Sequence, residues 1–298
     1  MSVFNRMLVT GLPAVPKPIV GRVASRYVAG EDLADAVRVV RALNQQGAMA
    51  TVDVLGEEVS EREKATAAVE EYLQVFETID REKIDCNVSI KLTLLGLKID
   101  EGFCRDNVAR IVEAAKGIGN FVRIDMEDHT TTDATIRIFR ELFALHGNVG
   151  IVLQAYMRRT LRDVEELPPG ANVRLCKGIY VEPRRVAWKG YETVRHNYVQ
   201  ALDKLFTQGV YVGIATHDEY LTCAASALID RHGLTRDRYE FQMLLGVDEE
   251  LRRILIESGH RLRVYVPYGR DWYPYSIRRL RENPEVARHV LKAMMSGK

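Results

Sequence analysis

Along this sequence, charged and polar side chains stand where apolar, strand-like runs come to an end. Lys91 closes one such run, Asp125-Met126-Glu127-Asp128 the next, and Gln154 a third. Arg174 and Lys177-Gly178 follow, then Thr216-His217-Asp218, then Gln242 and Leu244, and last Tyr265. Lys91 and Asp125 leave neighbouring runs, so the spacing predicts an ion pair between them; a solvated rim pair is the plainer reading. Arg174 and Lys177 lie three positions apart and therefore point to opposite faces of a regular strand. His217 has the chemistry of a general base, a metal ligand or a hydrogen-bond donor to a ligand. No H-E-x-x-H pair or Cys/His cluster accompanies it to favour a metal. Neither a Ser-centred nucleophile elbow nor a Gly-rich phosphate loop is present.

The densest such segment follows the last run. Pro274 suits the first turn of a helix, and that helix places Tyr275, Arg278, Arg279 and Glu282 on one face. Paired guanidinium groups bind a carboxylate bidentately and stay charged at any physiological pH. The segment reads either as an anion site beside Lys91 and Asp125 or as a solvated basic helix end.

Positioning these residues requires strands that finish on a common side. Strands are expected at 51–55, 87–93, 121–126, 150–156, 172–177, 210–216, 239–244 and 262–266. Their apolar, β-branched content suits strands covered on both faces. Helical spacing fills the intervals, as in 61–79 (Ala65, Ala68, Val69, Tyr72, Phe76) and 132–145 (Ile138, Phe139, Leu142). Eight alternating units without a composition break predict an α/β protein built on one closed (β/α)8 TIM-type barrel, with the active site at the C-terminal strand ends. A doubly wound sheet is the runner-up; it would need a dinucleotide fingerprint, and Gly117-Ile118-Gly119 precedes a strand instead of following one. Residues 1–45 read as an N-terminal helical arm, 46–298 as the catalytic barrel, with a C-terminal helix over its mouth. Residues 1–30 hold no acid, but Pro13, Pro16 and Pro18 break the helix that a targeting peptide would need.

The 298 residues carry 42 basic against 41 acidic side chains, so composition offers no footprint for nucleic acid. With 47% hydrophobic residues the chain can bury a large core. The 4 cysteines form no C-x-x-C pair, which fits a reducing cytoplasm, and no run approaches the ~20 apolar residues of a membrane span.

Taken in order, the strand-end segments resemble the proline dehydrogenase family, in particular its short, monofunctional bacterial members. The resemblance rests on Ser89-Ile90-Lys91-Leu92-Thr93, Arg123-Ile124-Asp125-Met126-Glu127 and Leu153-Gln154-Ala155-Tyr156. It continues through Arg174-Leu175-Cys176-Lys177-Gly178-Ile179-Tyr180, Ala215-Thr216-His217-Asp218, Tyr239-Glu240-Phe241-Gln242 and the stretch from Tyr275 through Arg278 and Arg279 to Glu282-Asn283. It implies an FAD-dependent barrel that oxidises L-proline to Δ1-pyrroline-5-carboxylate by hydride transfer to flavin N5. By the same resemblance, Met126, Gln154, Arg174, Lys177, Gly178, Ile179, Thr216, His217, Gln242 and Glu282 contact FAD. Lys91, Arg278 and Arg279 hold the proline carboxylate, Tyr265, Tyr275 and Leu244 pack its ring, and Asp125 and Arg174 are catalytic. Asp125 would orient Lys91 or polarise the site. Ile179 departs from the family, several of whose members carry Ala there. Further implications are a membrane quinone as electron acceptor, peripheral contact with the inner face of the membrane, and a separate pyrroline-5-carboxylate dehydrogenase downstream. The competing readings are a Schiff-base aldolase using Lys91 or Lys177 and a module whose arginine-rich helix grips nucleic acid; near-zero net charge speaks against the second.

Overall fold

The computed structural model describes residues 21, 25–273, 275 and 276. Eight parallel strands close into a barrel in chain order: β1 (Met49–Val54), β2 (Cys86–Ile90), β3 (Val122–Ile124), β4 (Val149–Gln154), β5 (Asn172–Cys176), β6 (Tyr211–Ala215), β7 (Tyr239–Leu244) and β8 (Leu262–Tyr268). α1 (Leu33–Gln45) precedes β1. Successive connections carry α2 (Arg62–Glu82), α3 (Glu101–Gly117), α4 (Thr132–His146), α5 (Thr160–Glu165), α6 (Tyr191–Thr207), α7 (Glu219–Arg231) and α8 (Glu249–Glu257). This is the predicted (β/α)8 architecture, and the doubly wound alternative is excluded.

β2 and β3 stop short of their expected ends. After Ile90 the chain turns on Leu92, whose carbonyl accepts from the amides of Leu95 and Leu97, and Asp125 N donates to Ile90 O at 2.9 Å. Lys91 and Asp125 thus stand one residue past their strands, on the barrel rim. β8 runs the other way, past its expected end at 266 to Tyr268. Pro267 gives the ladder no N–H, but its carbonyl accepts from Ala29 N at 2.9 Å, and Gly269 N returns a bond to Gly30 O at 3.0 Å. The segment before α1 is therefore tied to the end of β8, while α1 packs on β1 and β8 and closes the outer helical ring.

Strands covered on both faces were expected, and the strand residues are indeed almost all buried. Most of the apolar set lies on one face, however. Val52, Val88, Ile90, Val122, Ile124, Ile151, Leu153, Val173, Leu175, Val212, Ile214, Phe241, Val264 and Val266 belong to one core with helix residues such as Val40, Tyr72, Ile111, Phe139, Tyr198 and Leu221. The register sets the alternate residues side by side around the interior: Asp53 with Ser89, Ser89 with Arg123, Arg174 with Gly213, Gly213 with Glu240, Gln242 with Arg263. The barrel interior is accordingly polar, where apolar side chains commonly fill such barrels.

Deep in that interior, Arg263 Nε donates to Glu240 Oε1 at 2.8 Å and its Nη1 to Ala50 O at 2.7 Å. Tyr211 OH and Gln242 Nε2 also donate to Glu240. Burial works against the Glu240 carboxylate, yet Arg263 and these donors outweigh it and hold its pKa down at about 2. Removing one partner of a buried pair leaves an uncompensated charge, at a cost of about 3–5 kcal/mol. Arg263→Leu is therefore expected to lose stability on that scale in urea unfolding. A loss below about 1 kcal/mol, the range of exposed pairs, would mean the pair does not carry the lower barrel.

Candidate active site

A cavity of about 740 Å³ opens at the C-terminal ends of the strands. It brings together Lys91, Asp125, Met126, Gln154, Arg174, Lys177, Gly178, Ile179, Thr216, His217, Gln242, Leu244, Tyr265 and Tyr275, every sequence-predicted residue that lies within the described part of the chain. Arg278, Arg279 and Glu282, and most of the helix they were placed on, lie outside the described residues, as does most of 1–24. Tyr275, 5% exposed, reaches the cavity by packing with Val28 and Leu55 against Trp272, whose Nε1 donates to Glu31 at 2.9 Å.

The expected Lys91–Asp125 pair is not formed. Lys91 Nζ donates to both carboxylate oxygens of Asp53 at 2.6 Å, and Asp53 is 0% exposed. Asp125 is taken by others: Arg174 Nη1 donates to its Oδ1 at 2.6 Å and Tyr265 OH to its Oδ2 at 3.0 Å. Lys91 Nζ also lies 3.3 Å from Tyr265 OH, so one network joins Asp53, Lys91, Tyr265, Asp125 and Arg174. The separation follows from the strands of origin. Asp53 comes from β1, beside β2 in the barrel, and reaches Lys91 from below, whereas Arg174 crosses the interior from β5 to Asp125 and to Ser89 Oγ at 2.9 Å. Arg174 Nε donates to Gln242 Oε1 at 2.5 Å, and Gln242 Nε2 to Glu240 at 2.6 Å, linking the rim to the lower ion pair. A Cβ on Gly213 would stand 2.4 Å from Gln242 Nε2, so glycine at that strand position makes room for this bridge.

Burial pushes the Asp53 carboxyl upward and the Lys91 ammonium pulls it back. Burial, with Asp125 and Asp53 beside it, holds the Tyr265 phenol well above its ordinary range, so it stays a donor. Arg174 faces the interior, while Lys177 lies one residue past the end of β5 on the rim, so the expected division between opposite strand faces does not apply and both line the cavity. There Asp218 accepts from Lys177 Nζ at 3.1 Å, Tyr191 OH at 2.8 Å and Arg195 Nη2 at 2.7 Å. Desolvation opposes its charge, but these donors outweigh it and lower its pKa. Gly178 turns the chain at φ +106, and a Cβ there would lie 2.2 Å from the Tyr156 ring. His217 Nε2 accepts from Leu244 N at 2.9 Å, which fixes the ring with that nitrogen unprotonated. Cys176 is half-buried and lines the cavity.

A sequence model of the proline dehydrogenase family matches residues 36–292. Proline dehydrogenase of Deinococcus radiodurans is 38% identical over 282 residues, covering 92% of this chain and 90% of that one. Proline dehydrogenase 2 of Bacillus subtilis is 37% identical over 272 residues, covering 91% and 90%.

The chain belongs to the proline dehydrogenase family.

Among solved structures, proline utilization A of Bdellovibrio bacteriovorus inactivated by N-propargylglycine superposes with a TM-score of 0.82 at 23% identity, over 88% of this chain. Proline utilization A of Corynebacterium freiburgense superposes with 0.79 at 20% identity, over 98% of this chain. The chain spans about a third of those two structures (32% and 34%), which share its fold. The short proline dehydrogenases, by contrast, match nearly end to end, and family membership carries the implication of a flavin cofactor.

Three features of this proline dehydrogenase family site were not assigned from sequence. Asp53 and Ser89 lie within strands, where a polar letter signals an interior position only if the barrel interior is polar. Arg195 and Tyr191 belong to the first turns of α6, which follow the long β5–α6 loop. Glu127 was noted as a strand end, but it turns inward: Thr93 N and Oγ1 donate to it at 3.0 and 2.5 Å, and it is 4% exposed. Burial raises its pKa from 4.5 to about 7. The folded state then keeps this proton longer than the unfolded chain, so stability falls as pH rises from about 4.5 to 7, by at most about 3 kcal/mol. Glu127→Gln should match the parent protein near the lower pH and melt at a higher temperature than it above pH 7. Parallel Tm-against-pH curves for the two proteins would refute the assignment.

Proposed function

We propose that this chain oxidises L-proline to Δ1-pyrroline-5-carboxylate with bound FAD and passes the electrons to a quinone-type acceptor. One observation carries the reading. The cavity sets two cations, Lys91 and Arg174, each braced by its own carboxylate, the buried Asp53 and the half-buried Asp125, beside a wall formed by Tyr265, Tyr275 and Leu244. That combination suits a small amino acid with an anionic carboxylate and an apolar ring.

The residues present also fit a flavin dinucleotide. Met126, Val152 and Ala215 give apolar cover for a flat ring, while Lys177, Arg195, Thr216 and His217 gather cations and donors at the β5 and β6 side for a diphosphate. Gln154, Lys177, Gly178, Ile179, Thr216, His217 and Gln242 would hold the cofactor with Met126, joined by Glu282. When bound, the flavin supplies the two-electron acceptor for the hydride leaving the proline carbon beside nitrogen. Lys91 holds the substrate carboxylate together with Arg278 and Arg279, fixing which carbon faces that acceptor. Asp53 keeps Lys91 cationic and aimed. Arg174, pinned by Asp125, Ser89 and Gln242, presents a fixed positive charge where negative charge accumulates. Tyr265 retains its proton and acts by packing and donation. Residues 46–298 serve as the catalytic unit and 1–45 as an arm of it.

A cyclic imine opens in water to an amino-aldehyde, so a separate pyrroline-5-carboxylate dehydrogenase is the fitting consumer of the product. No helix among the described residues is long and apolar enough to cross a membrane; the contact proposed with a quinone-bearing membrane is a peripheral one. The aldolase reading requires a neutral lysine, but Lys91 donates to both oxygens of Asp53 at 2.6 Å and Lys177 is paired with Asp218 at 3.1 Å.

Charge-assisted hydrogen bonds are worth about 1.5–3 kcal/mol. Arg278→Met is therefore expected to raise the KM for L-proline about 10- to 100-fold in dye-linked turnover, with flavin content per chain unchanged. Loss of the flavin with an unchanged KM would reassign that helix to the cofactor.

A further inference from the structure

A column of charged side chains runs from the barrel floor to the cavity. Glu240 pairs with Arg263, Asp125 with Arg174 and Asp53 with Lys91. Arg123 belongs to the same column, is 2% exposed, and has no carboxylate within ion-pair distance among the described residues. It stands in β3, two residues nearer the floor than Asp125. Its Nη1 donates to the carbonyls of Ile151 at 2.9 Å and Asn172 at 2.6 Å, and its Nη2 donates to Asn172 Oδ1. Its Nε is buried without a hydrogen-bond partner.

The strands around it make room for this guanidinium. A Cβ on Gly150 of β4 would stand 2.5 Å from Arg123 Nη1, and the Phe121 ring lies 4.9 Å from the guanidinium carbon. Burial and Arg174 draw the pKa of Arg123 down only to about 9, so it is a cation at neutral pH. An unpaired buried charge is costly; carbonyl dipoles stabilise this one but leave its net charge in place. At the mouth the situation differs. Lys91 and Arg174 each face a carboxylate at 2.6 Å, so from farther off each pair is close to neutral. The charge on Arg123 has no such counterpart, and in the buried interior salt screens it little.

We propose that Arg123 is a long-range electrostatic element of the active site: its uncancelled charge, beneath Asp125 and Arg174, raises the affinity of the cavity for negative charge without touching the ligand. The proposal rests on the reading that a ring carboxylate and a flavin share this cavity. Negative charge enters there twice, once as the substrate carboxylate and once when a hydride adds its electron pair to the flavin. A fixed cation below both favours each, and being buried in place it costs no reorganisation when the charge arrives.

Two variants cancel the charge in opposite ways. Arg123→Met removes the cation together with its hydrogen bonds. Asn172→Asp keeps Arg123 and puts a carboxylate at the oxygen that already accepts from Nη2, so the barrel floor is bonded more strongly. The flavin-loaded proteins are titrated with cyclopentanecarboxylate and with uncharged cyclopentanecarboxamide, and the midpoint potential of the flavin is measured. A unit charge about 10 Å away, at an effective dielectric constant of about 20, changes the affinity for an anion roughly tenfold. Both variants are expected to bind the carboxylate about tenfold more weakly and the amide as the parent does. Their flavin potential should fall by about 30 mV, the equivalent of tenfold for a two-electron couple. Should Arg123→Met fail to fold, Asn172→Asp decides alone. Neither readout needs turnover, so a parent that binds the carboxylate yet leaves L-proline unoxidised would defeat the functional reading and not this one. Unchanged carboxylate affinity and potential in Asn172→Asp, or equal losses for carboxylate and amide, would overturn the proposal and leave Arg123 a purely structural plug.

Discussion

Charge inside a barrel has to be matched side chain by side chain, because water is not there to do it. In this protein that requirement organises the interior from bottom to top. Glu240 is matched by Arg263, Asp125 by Arg174 and Asp53 by Lys91, and Gln242 joins the first two pairs by donating to Glu240 and accepting from Arg174. Arg123 lacks a carboxylate among its hydrogen-bond partners and donates to the carbonyls of Ile151 and Asn172; burial, with Arg174 nearby, draws its pKa down to about 9. The site at the mouth is the exposed end of this column. Its two cations are fixed before any substrate arrives, which is what transition-state stabilisation by preorganised charge requires.

The same constraint explains why the apolar core lies outside the barrel. With the interior given to polar groups, cohesion comes from the layer between strands and helices, where Tyr72, Ile111, Phe139 and Tyr198 are fully buried. The chain closes that layer with α1, and the segment before α1 then fastens the end of β8 through Ala29 and Gly30. Tyr275 is positioned by that fastening together with Leu55 and Val28, so residues far apart in sequence shape one wall of the cavity.

Fold and cavity were largely legible in the sequence, for physical reasons. Period-3.6 and β-rich runs alternate without a break, and the barrel rule then gathers Lys91, Asp125, Gln154, Arg174, Thr216, Gln242 and Tyr265 at one end. What was not legible is who pairs with whom. Lys91 and Asp125, at the ends of consecutive strands, suggested a pair, but partners across a barrel depend on register and on how far each side chain reaches. Asp53 was hidden because the motif reading began at strand ends, and Asp53 sits inside β1. The signal was nevertheless present as a period of two: Thr51 and Asp53, Ser89 and Lys91, Arg123 and Asp125, Glu240 and Gln242, Arg263 and Tyr265 alternate with aliphatic or aromatic residues. A strand covered on both faces need not be apolar on both.

The central claim is that this braced cationic cavity removes a hydride from L-proline onto a bound flavin. The most direct measurement is the visible absorption spectrum of the purified protein under anaerobic conditions, before and after L-proline is added. The account predicts flavin bands that bleach on addition of L-proline and return when an oxidant is admitted. A flavin that stays oxidised, or a colourless protein that cannot be reconstituted with FAD, would contradict it.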